Sequence, residues 1–437
     1  MAQGRMTLNY FLYNLLLLLI TLTVLPFFLL YRLMIGRPAL AHFRRLTVTQ
    51  LQRLAGKPVI WLQAVSVGEV VVAAIILKEL RRLLPDHAVV LTTTTPTGQA
   101  MAEKLLGKTV ILAYFPYDLP WVVKRFISQI KPELFLMLEA EIWPNVIRYC
   151  RLAGVKMAIV NGLVSDRSFR RYQRFTGFTR EVLEQVDLLA MQSVEDANRI
   201  GKLGAVLERI RVTGNAKFDQ NYPEFSQEEK QTFLRQYGWD AKDRIFVAAS
   251  THKGEEEIVI NAFCELAADG QYKMILAPRH PERASEVAAL LQEAGLSFVR
   301  RSAGEAELAS QVPQVLLLDT FGELGLAYAV AEVIFVGGSL VPIGGHNVLE
   351  AAVQAKPVLY GPYMHKTRES QRLLEEAEAG FTVKDQTDLV TAIRELVADV
   401  PTYQKRAAAA RKAVLANQGA AGKTAQAVAA LLEAAAG

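Results

Sequence analysis

Val336-Gly337-Gly338-Ser339-Leu340-Val341-Pro342-Ile343-Gly344-Gly345-His346-Asn347-Val348-Leu349-Glu350 is the stretch on which the reading of this chain turns. An apolar strand ends in Gly-Gly, a short loop carries a second Gly-Gly, and a helix is expected to begin near Asn347. Glycines let a backbone approach a phosphate closely, and a helix N-terminus adds partial positive charge. Gly338, Ser339, Gly344, Gly345 and His346 thus form a candidate phosphate or donor loop. Glu350, one turn in, is placed to bind ribose hydroxyls. No Gly-Lys-Ser/Thr follows, so this is not a Walker loop, and the lack of GxGxxG argues against NAD. A tight strand–helix turn without a ligand is the structural alternative.

Outward from this loop the chain alternates strand and helix. Short apolar runs at Ile245–Ser250, Lys273–Pro278, Val315–Asp319, Val333–Val336 and Pro357–Tyr360 are separated by helical patterns. An earlier series has the same rhythm: Val59–Val65, Ala88–Thr94, Thr109–Tyr114, Glu133–Leu138, Lys156–Val160 and Leu188–Gln192. Between them lies a polar break at Gly214–Glu229. The pattern predicts an α/β protein of two Rossmann-like lobes, each a doubly wound parallel sheet, facing an inter-lobe cleft. The expected divisions are a membrane anchor with a basic juxtamembrane segment (1–57), an N-terminal acceptor lobe (58–215) and a C-terminal nucleotide lobe (216–437). The Ala-rich tail reads as terminal helices, one of which packs back across the lobes. Dehydrogenases, binding proteins and many glycosyltransferases share such a layout, so the fold does not choose among them.

A chain of 437 residues exceeds one ordinary core, and its charged fraction of 21% argues against disorder. Its two cysteines, Cys150 and Cys264, imply neither a disulfide framework nor a zinc site. The net charge of +5 is unevenly placed. Residues 1–60 hold seven basic side chains and no acidic one; without these seven, 42 basic residues face 44 acidic ones. The basicity belongs to the N-terminal segment, which speaks against nucleic-acid binding by the lobes and for a collar on an anionic membrane. Met6 to Tyr31 is free of charge for 26 residues. Ala39-Leu40-Ala41 mimics a signal-peptide cleavage site, but the apolar run is too long and its basic cluster lies on the C-terminal side. The reading is a retained N-terminal anchor with the lobes in the cytoplasm; Asn9, Asn14 and Pro26 leave a monotopic insertion open. The stretch 31–54 reads equally as an amphipathic surface helix or a solvated linker.

The first lobe carries three candidate clusters. Ser66-Val67-Gly68-Glu69 follows the first strand. It reads as a capping box, with Glu69 reaching back to the cap, or as a general base at the mouth of the site. Glu139-Ala140-Glu141-Ile142-Trp143-Pro144-Asn145 puts two carboxylates at a strand's end. Asp166-Arg167-Ser168-Phe169-Arg170-Arg171 opens a helix capped by Ser165, and its arginines suit an acidic acceptor or simple solvation. Lys217 lies at the junction of the lobes. In the second lobe, Arg279 of Pro278-Arg279-His280 is well placed for a phosphate.

Taken together these motifs resemble, in order and across essentially the whole chain, those of the 3-deoxy-D-manno-octulosonic acid (Kdo) transferases of lipopolysaccharide synthesis. The matching segments are SVGE at Ser66–Glu69, TTTTPTG at Thr92–Gly98, YFPYDLP at Tyr114–Pro120, EAEIWPN at Glu139–Asn145 and SDRSFRRY at Ser165–Tyr172. They continue with GNAKFD at Gly214–Asp219, ASTHKGEEE at Ala249–Glu257, PRHPER at Pro278–Arg283, DTFGELG at Asp319–Gly325 and GGSLVPIGGHNVLEAA at Gly337–Ala352. The resemblance implies a GT-B fold and inverting transfer of Kdo from CMP-Kdo to a lipid A precursor at the inner membrane. It implies no further cofactor and no nucleotide-liganding metal. It makes Glu69 the base, with Glu139 and Lys217 stabilising the transition state. It assigns CMP to Pro278, Arg279, Gly322, Glu323, Leu324, Asn347, Val348, Leu349 and Glu350, and leaves Ser66, Gly68 and Arg167 for the acceptor. Gln63 stands where the family usually has His, Leu163 replaces an Arg, Val348 a Pro and Lys366 an Asn. These departures keep two alternatives in view: a transferase with another nucleotide-sugar donor, and a non-catalytic membrane-bound relative. The sequence leaves the number of Kdo units, the acyl pattern of the acceptor and the oligomeric state open.

Overall fold

The computed structural model describes residues 7–34, 46–139, 141–240, 242–268, 270–303 and 312–436. The chain forms two compact units. The first comprises residues 1–220 and 417–437, the second residues 221–416. The division thus falls inside the polar break. The last helix, Ala420–Ala436, belongs to the first unit, although the sequence reading assigns it to the second lobe with everything after 215.

The first unit is built on strands β1 (Val59–Gln63), β2 (Ala88–Thr93), β3 (Ile111–Tyr114), β4 (Leu134–Leu138), β5 (Lys156–Gly162), β6 (Leu188–Met191) and β7 (Ile210–Val212). They form one parallel sheet in the order β3-β2-β1-β4-β5-β6-β7. Both faces of the sheet's interior are covered, so the interior strands are predominantly apolar. Trp61, Phe135 and Met137 enter one core; Ile60, Leu62, Leu134 and Leu136 enter the other. Helix Val67–Leu83 packs in the second core with Ala421, Ala425 and Val428 of the terminal helix. That helix is fixed at its start by Asp219, which accepts from the N–H groups of Gly419 and Ala421.

The second unit contains β8 (Arg244–Thr251), β9 (Tyr272–Pro278), β10 (Phe298–Arg300), β11 (Val315–Leu317), β12 (Val333–Val336), β13 (Val358–Tyr360) and β14 (Gly380–Thr382). Their order is β10-β11-β9-β8-β12-β13-β14, again all parallel. In each sheet the order reverses beside the first strand, between β1 and β4 and between β8 and β12. The crevice outside the carboxyl ends of such a pair is where open α/β sheets bind ligands.

Every strand read from the sequence is present. The three it misses, β7, β10 and β14, are three-residue edge strands. An edge strand is half solvated and short, so it lacks the apolar run by which buried strands are recognised.

At the N-terminus, Leu8–Met34 is one helix and Val48–Leu54 another, the latter opened by a Thr47–Gln50 capping box. Among the described residues no helix is long and apolar enough to cross a membrane. Arg37, Arg44 and Arg45 of the basic collar and the Ala39–Ala41 segment lie outside the described residues.

Candidate functional site

At the reversal point of the first sheet, Ser66 caps helix Val67–Leu83 and its hydroxyl accepts from the Glu69 N–H. The Glu69 carboxylate folds back to accept from the N–H groups of Val65 (2.8 Å) and Ser66 (3.2 Å) and from the Ser66 hydroxyl (2.9 Å). The capping box is therefore real, and it holds the carboxyl at the carboxyl edge of β1. Glu69 is only 7% exposed. Burial, reinforced by the nearby charges of Glu139 and Glu141, pushes its pKa up to about 7 against the pull of its hydrogen bonds. A carboxyl poised there suits a general base near neutral pH.

Glu139 follows β4 with φ at 55°, a left-handed conformation that costs a non-glycine residue about 1–2 kcal/mol. Its N–H still donates to Val160 O, so the strand pairing holds the strained residue in place. Lys217 Nζ lies 3.5 Å from Glu139 Oε1. The short turn bearing Lys217 is positioned by Asn161 at the end of β5, whose Oδ1 accepts the Ala216 N–H at 2.8 Å. Asn161 is also left-handed, with φ at 52°. Burial and then Glu139 raise the pKa of Glu141, while Arg171 lowers it. Of the three arginines in the 166–171 cluster, Arg171 is thus the one tied to this edge. Arg167 is exposed, as is Leu163, and Gly68 sits in the first helical turn with room around it. Gln63, at the end of β1, is 1% exposed and neither of its amide atoms has a hydrogen-bond partner.

The second unit has a cavity of about 230 Å³ at its carboxyl edge. Its walls include Pro278, Arg279, Gly322, Leu324 and Glu350, five of the residues expected to bind nucleotide. The other four have different placements. Glu323 is turned onto Arg301, with contacts of 2.7 and 2.8 Å, and onto the Thr320 hydroxyl. Burial alone would raise its pKa, but these bonds hold it below the usual carboxylate value. Val348 and Leu349 are buried, and the Asn347 side chain accepts from the Leu349 N–H. Ser250 and Phe321 also line the cavity; the sequence places them in the ASTHKGEEE and DTFGELG segments but gives neither a role. Ser250 is a third left-handed residue at a strand end (φ 55°), and Phe321 is 81% exposed. An aromatic between Thr320 and Gly322 in a loop was the available signal for the latter.

The glycine-rich loop departs from the expected phosphate cradle. The N–H groups of Gly338, Ser339 and Leu340 donate to Glu255, at 2.7, 2.9 and 2.8 Å, and His252 N–H does the same at 2.9 Å. Glu255 is fully buried, a carboxylate occupying the nest from within. The Gly344 and Gly345 N–H groups donate to Gly338 O. These five loop N–H groups, of Gly338, Ser339, Leu340, Gly344 and Gly345, are thus engaged inside the protein. His346 stacks on His252 with the rings 6° from parallel and Nε2···Nε2 at 2.8 Å. Only one of the two nitrogens can carry the shared proton. Burial, then the charges of Arg279, His252 and Lys366, press His346 down to about 4, so it is neutral at pH 7. Gly338 is required here: its φ is +67°, and a Cβ would stand 2.7 Å from the His346 ring.

The family model for 3-deoxy-D-manno-octulosonic-acid transferase (kdotransferase) matches residues 41–220. The 3-deoxy-D-manno-octulosonic acid transferase of Haemophilus influenzae is 35% identical over 363 residues, 83% of this chain and 84% of that protein. Its counterpart from Bordetella pertussis is 36% identical over 376 residues, 84% and 85% of the two chains. A crystal structure of a glycosyltransferase from Rickettsia africae superposes with a TM-score of 0.55 at 14% identity, covering 86% of this chain and 98% of the other, and shares the two-lobed GT-B architecture. With acids at one sheet edge, a cation-flanked cavity at the other and relatives matching along most of its length, this chain belongs to the Kdo transferase family of glycosyltransferases.

Proposed function

We propose that the protein transfers Kdo from CMP-Kdo to a hydroxyl of a lipid A precursor, with inversion at the anomeric carbon, on the cytoplasmic side of the inner membrane. The observation that carries this reading is Glu69, held at the reversal point of the first sheet with its pKa near 7 and beside the Glu139–Lys217 pair. As the acceptor oxygen bonds to the anomeric carbon, its proton passes to the Glu69 carboxylate. The bond from that carbon to the CMP phosphate breaks, and CMP departs with the electron pair. Attack opposite the leaving group inverts the centre.

Lys217 sets a positive charge beside Glu139 at the acceptor edge. In the second unit Arg279 and Lys366 supply positive charge for the departing phosphate, and Glu350 lies in the cavity wall, within reach of ribose hydroxyls. Lys366 is a departure from the family pattern that adds a cation at this edge. The basic, charge-free-then-collared N-terminus supports attachment to a membrane that holds a phosphorylated lipid acceptor.

The test is Kdo transfer to a tetraacylated lipid A precursor, with a coupled synthetase generating the unstable donor. Wild type is expected to give product whose mass counts the sugars added. A folded, CMP-binding wild type that gives none would shift the reading to the non-catalytic relative.

A further inference from the structure

Helix Leu8–Met34 is fastened to the first unit along one stripe. Thr7 and Asn9 donate to the two oxygens of Glu181, at 2.6 and 3.0 Å. Tyr10 is fully buried; its hydroxyl donates to Pro144 O and accepts from Gln185, and its ring meets Phe178 edge-on at 5.2 Å. The Tyr13 hydroxyl donates to Asp118 at 2.7 Å, and Asn145 donates to Asn14 at 2.7 Å. Residues 10, 13, 14, 17 and 21, one helical face, are the ones withdrawn from solvent up to residue 24. The remaining faces expose leucines and isoleucine, with Leu12, Leu16, Leu19 and Leu22 each more than half exposed.

The chain also comes back to the same unit. Leu46 and Leu54 enter the core that contains Tyr10, and Gln50 donates to Leu112 O on β3. A helix of 27 residues is about 40 Å long. Eleven residues, 35–45, separate its end from Leu46 and reach at most about 40 Å, which suffices for the return. A helix crossing the bilayer would carry Thr7–Asn14 about 30 Å away from the unit they contact.

Resting on the membrane attachment proposed above, we infer that this helix is monotopic. Its polar stripe docks on the first unit, its outward leucines enter one leaflet, and the N-terminus stays on the same side of the bilayer as the two units. The docking has a consequence for the reaction. Asp118 accepts from the N–H groups of Asn145 and Val146, at the start of the helix that follows Glu139 and Glu141. The membrane-bound helix and the acid-bearing edge are thereby joined through Asp118, which holds that edge near the surface that carries an amphiphilic acceptor.

The test uses the full chain in bacterial membranes. Gln3→Cys and, as a marker of the first unit's surface, Glu184→Cys are each labelled with a membrane-impermeant maleimide in vesicles of both orientations. Asn9→Cys with Glu181→Cys is treated with a short bismaleimide. The expected result is membrane-fraction protein, labelling of both single variants from the same side, and cross-linking of the pair. Labelling of Gln3→Cys from the side opposite to Glu184→Cys, without cross-linking, overturns the inference but leaves membrane attachment standing. Recovery of the wild-type chain entirely in the soluble fraction removes the attachment, and the inference with it.

Discussion

At the carboxyl edge of the first sheet, Glu69, Glu139 and Glu141 lie within electrostatic reach of one another, with Lys217 beside them. At the equivalent edge of the second sheet, His252 and His346 lie within reach of Arg279 and Lys366. Burial acts on both groups by the same physics and with opposite sign. It disfavours charge, so carboxyls rise toward neutrality while imidazoles fall toward their uncharged form. The first edge thereby gathers carboxyls whose proton affinity is raised, and the second imidazoles held toward their neutral form. One architecture used twice carries two different sets of ionisable groups, because these depend on the side chains at the strand ends rather than on the sheet.

The sharpest way to break this contrast is Glu69. Glu69→Gln keeps an oxygen acceptor for the capping box but cannot act as a base. Transfer is expected to fall at least about 100-fold with CMP binding unchanged. A rate near wild type would reduce Glu69 to a cap. Next is Arg279→Ala, expected to weaken CMP binding about 10- to 100-fold by calorimetry, the scale of a lost charged hydrogen bond. It should leave the acid limb of the pH–rate profile where it was, because Arg279 belongs to the other edge.

That limb is itself the third prediction. With Glu69 near 7, transfer should rise with pH through about 7. Glu139→Gln removes a negative charge that raises Glu69, so the limb should move to lower pH whatever happens to the maximal rate. An unmoved limb would separate the two carboxyls.

The smallest effect is on stability. The folded pKa of Glu69 lies above its unfolded value of 4.5, so the folded state binds this proton more tightly. Its contribution is present below about pH 4.5 and is lost as pH rises through 7. Asp118, pushed up to about 7 chiefly by burial, adds in the same window. Glu69→Gln should therefore lose less stability than wild type between pH 5 and 7.5. Denaturant melts should show a difference on the order of 1–3 kcal/mol.

Much of this was legible in the residues. Alternating apolar runs located the eleven interior and longer strands, because a strand buried on both faces must be apolar wherever it occurs. Ser66 and Glu69 announced their capping box by spacing alone, and Glu139 and Glu141 were legible as two acids at the end of β4. The edge strands β7, β10 and β14 were not legible, since half-solvated segments such as Ile210-Arg211-Val212 carry no such pattern.

The sequence by itself determined the fold class and the family and named candidate site residues, because each rests on local pattern. Only the tertiary structure decided what those residues face. It turned the glycine loop's N–H groups onto Glu255, took Glu323 away for Arg301 and brought Arg171 rather than Arg167 to the acids. It also laid Tyr10, Tyr13 and Asn14 against residues more than a hundred positions away. Hydrogen-bond donors have many possible partners along a chain, and the partner they take is fixed by which strand ends the sheet brings together.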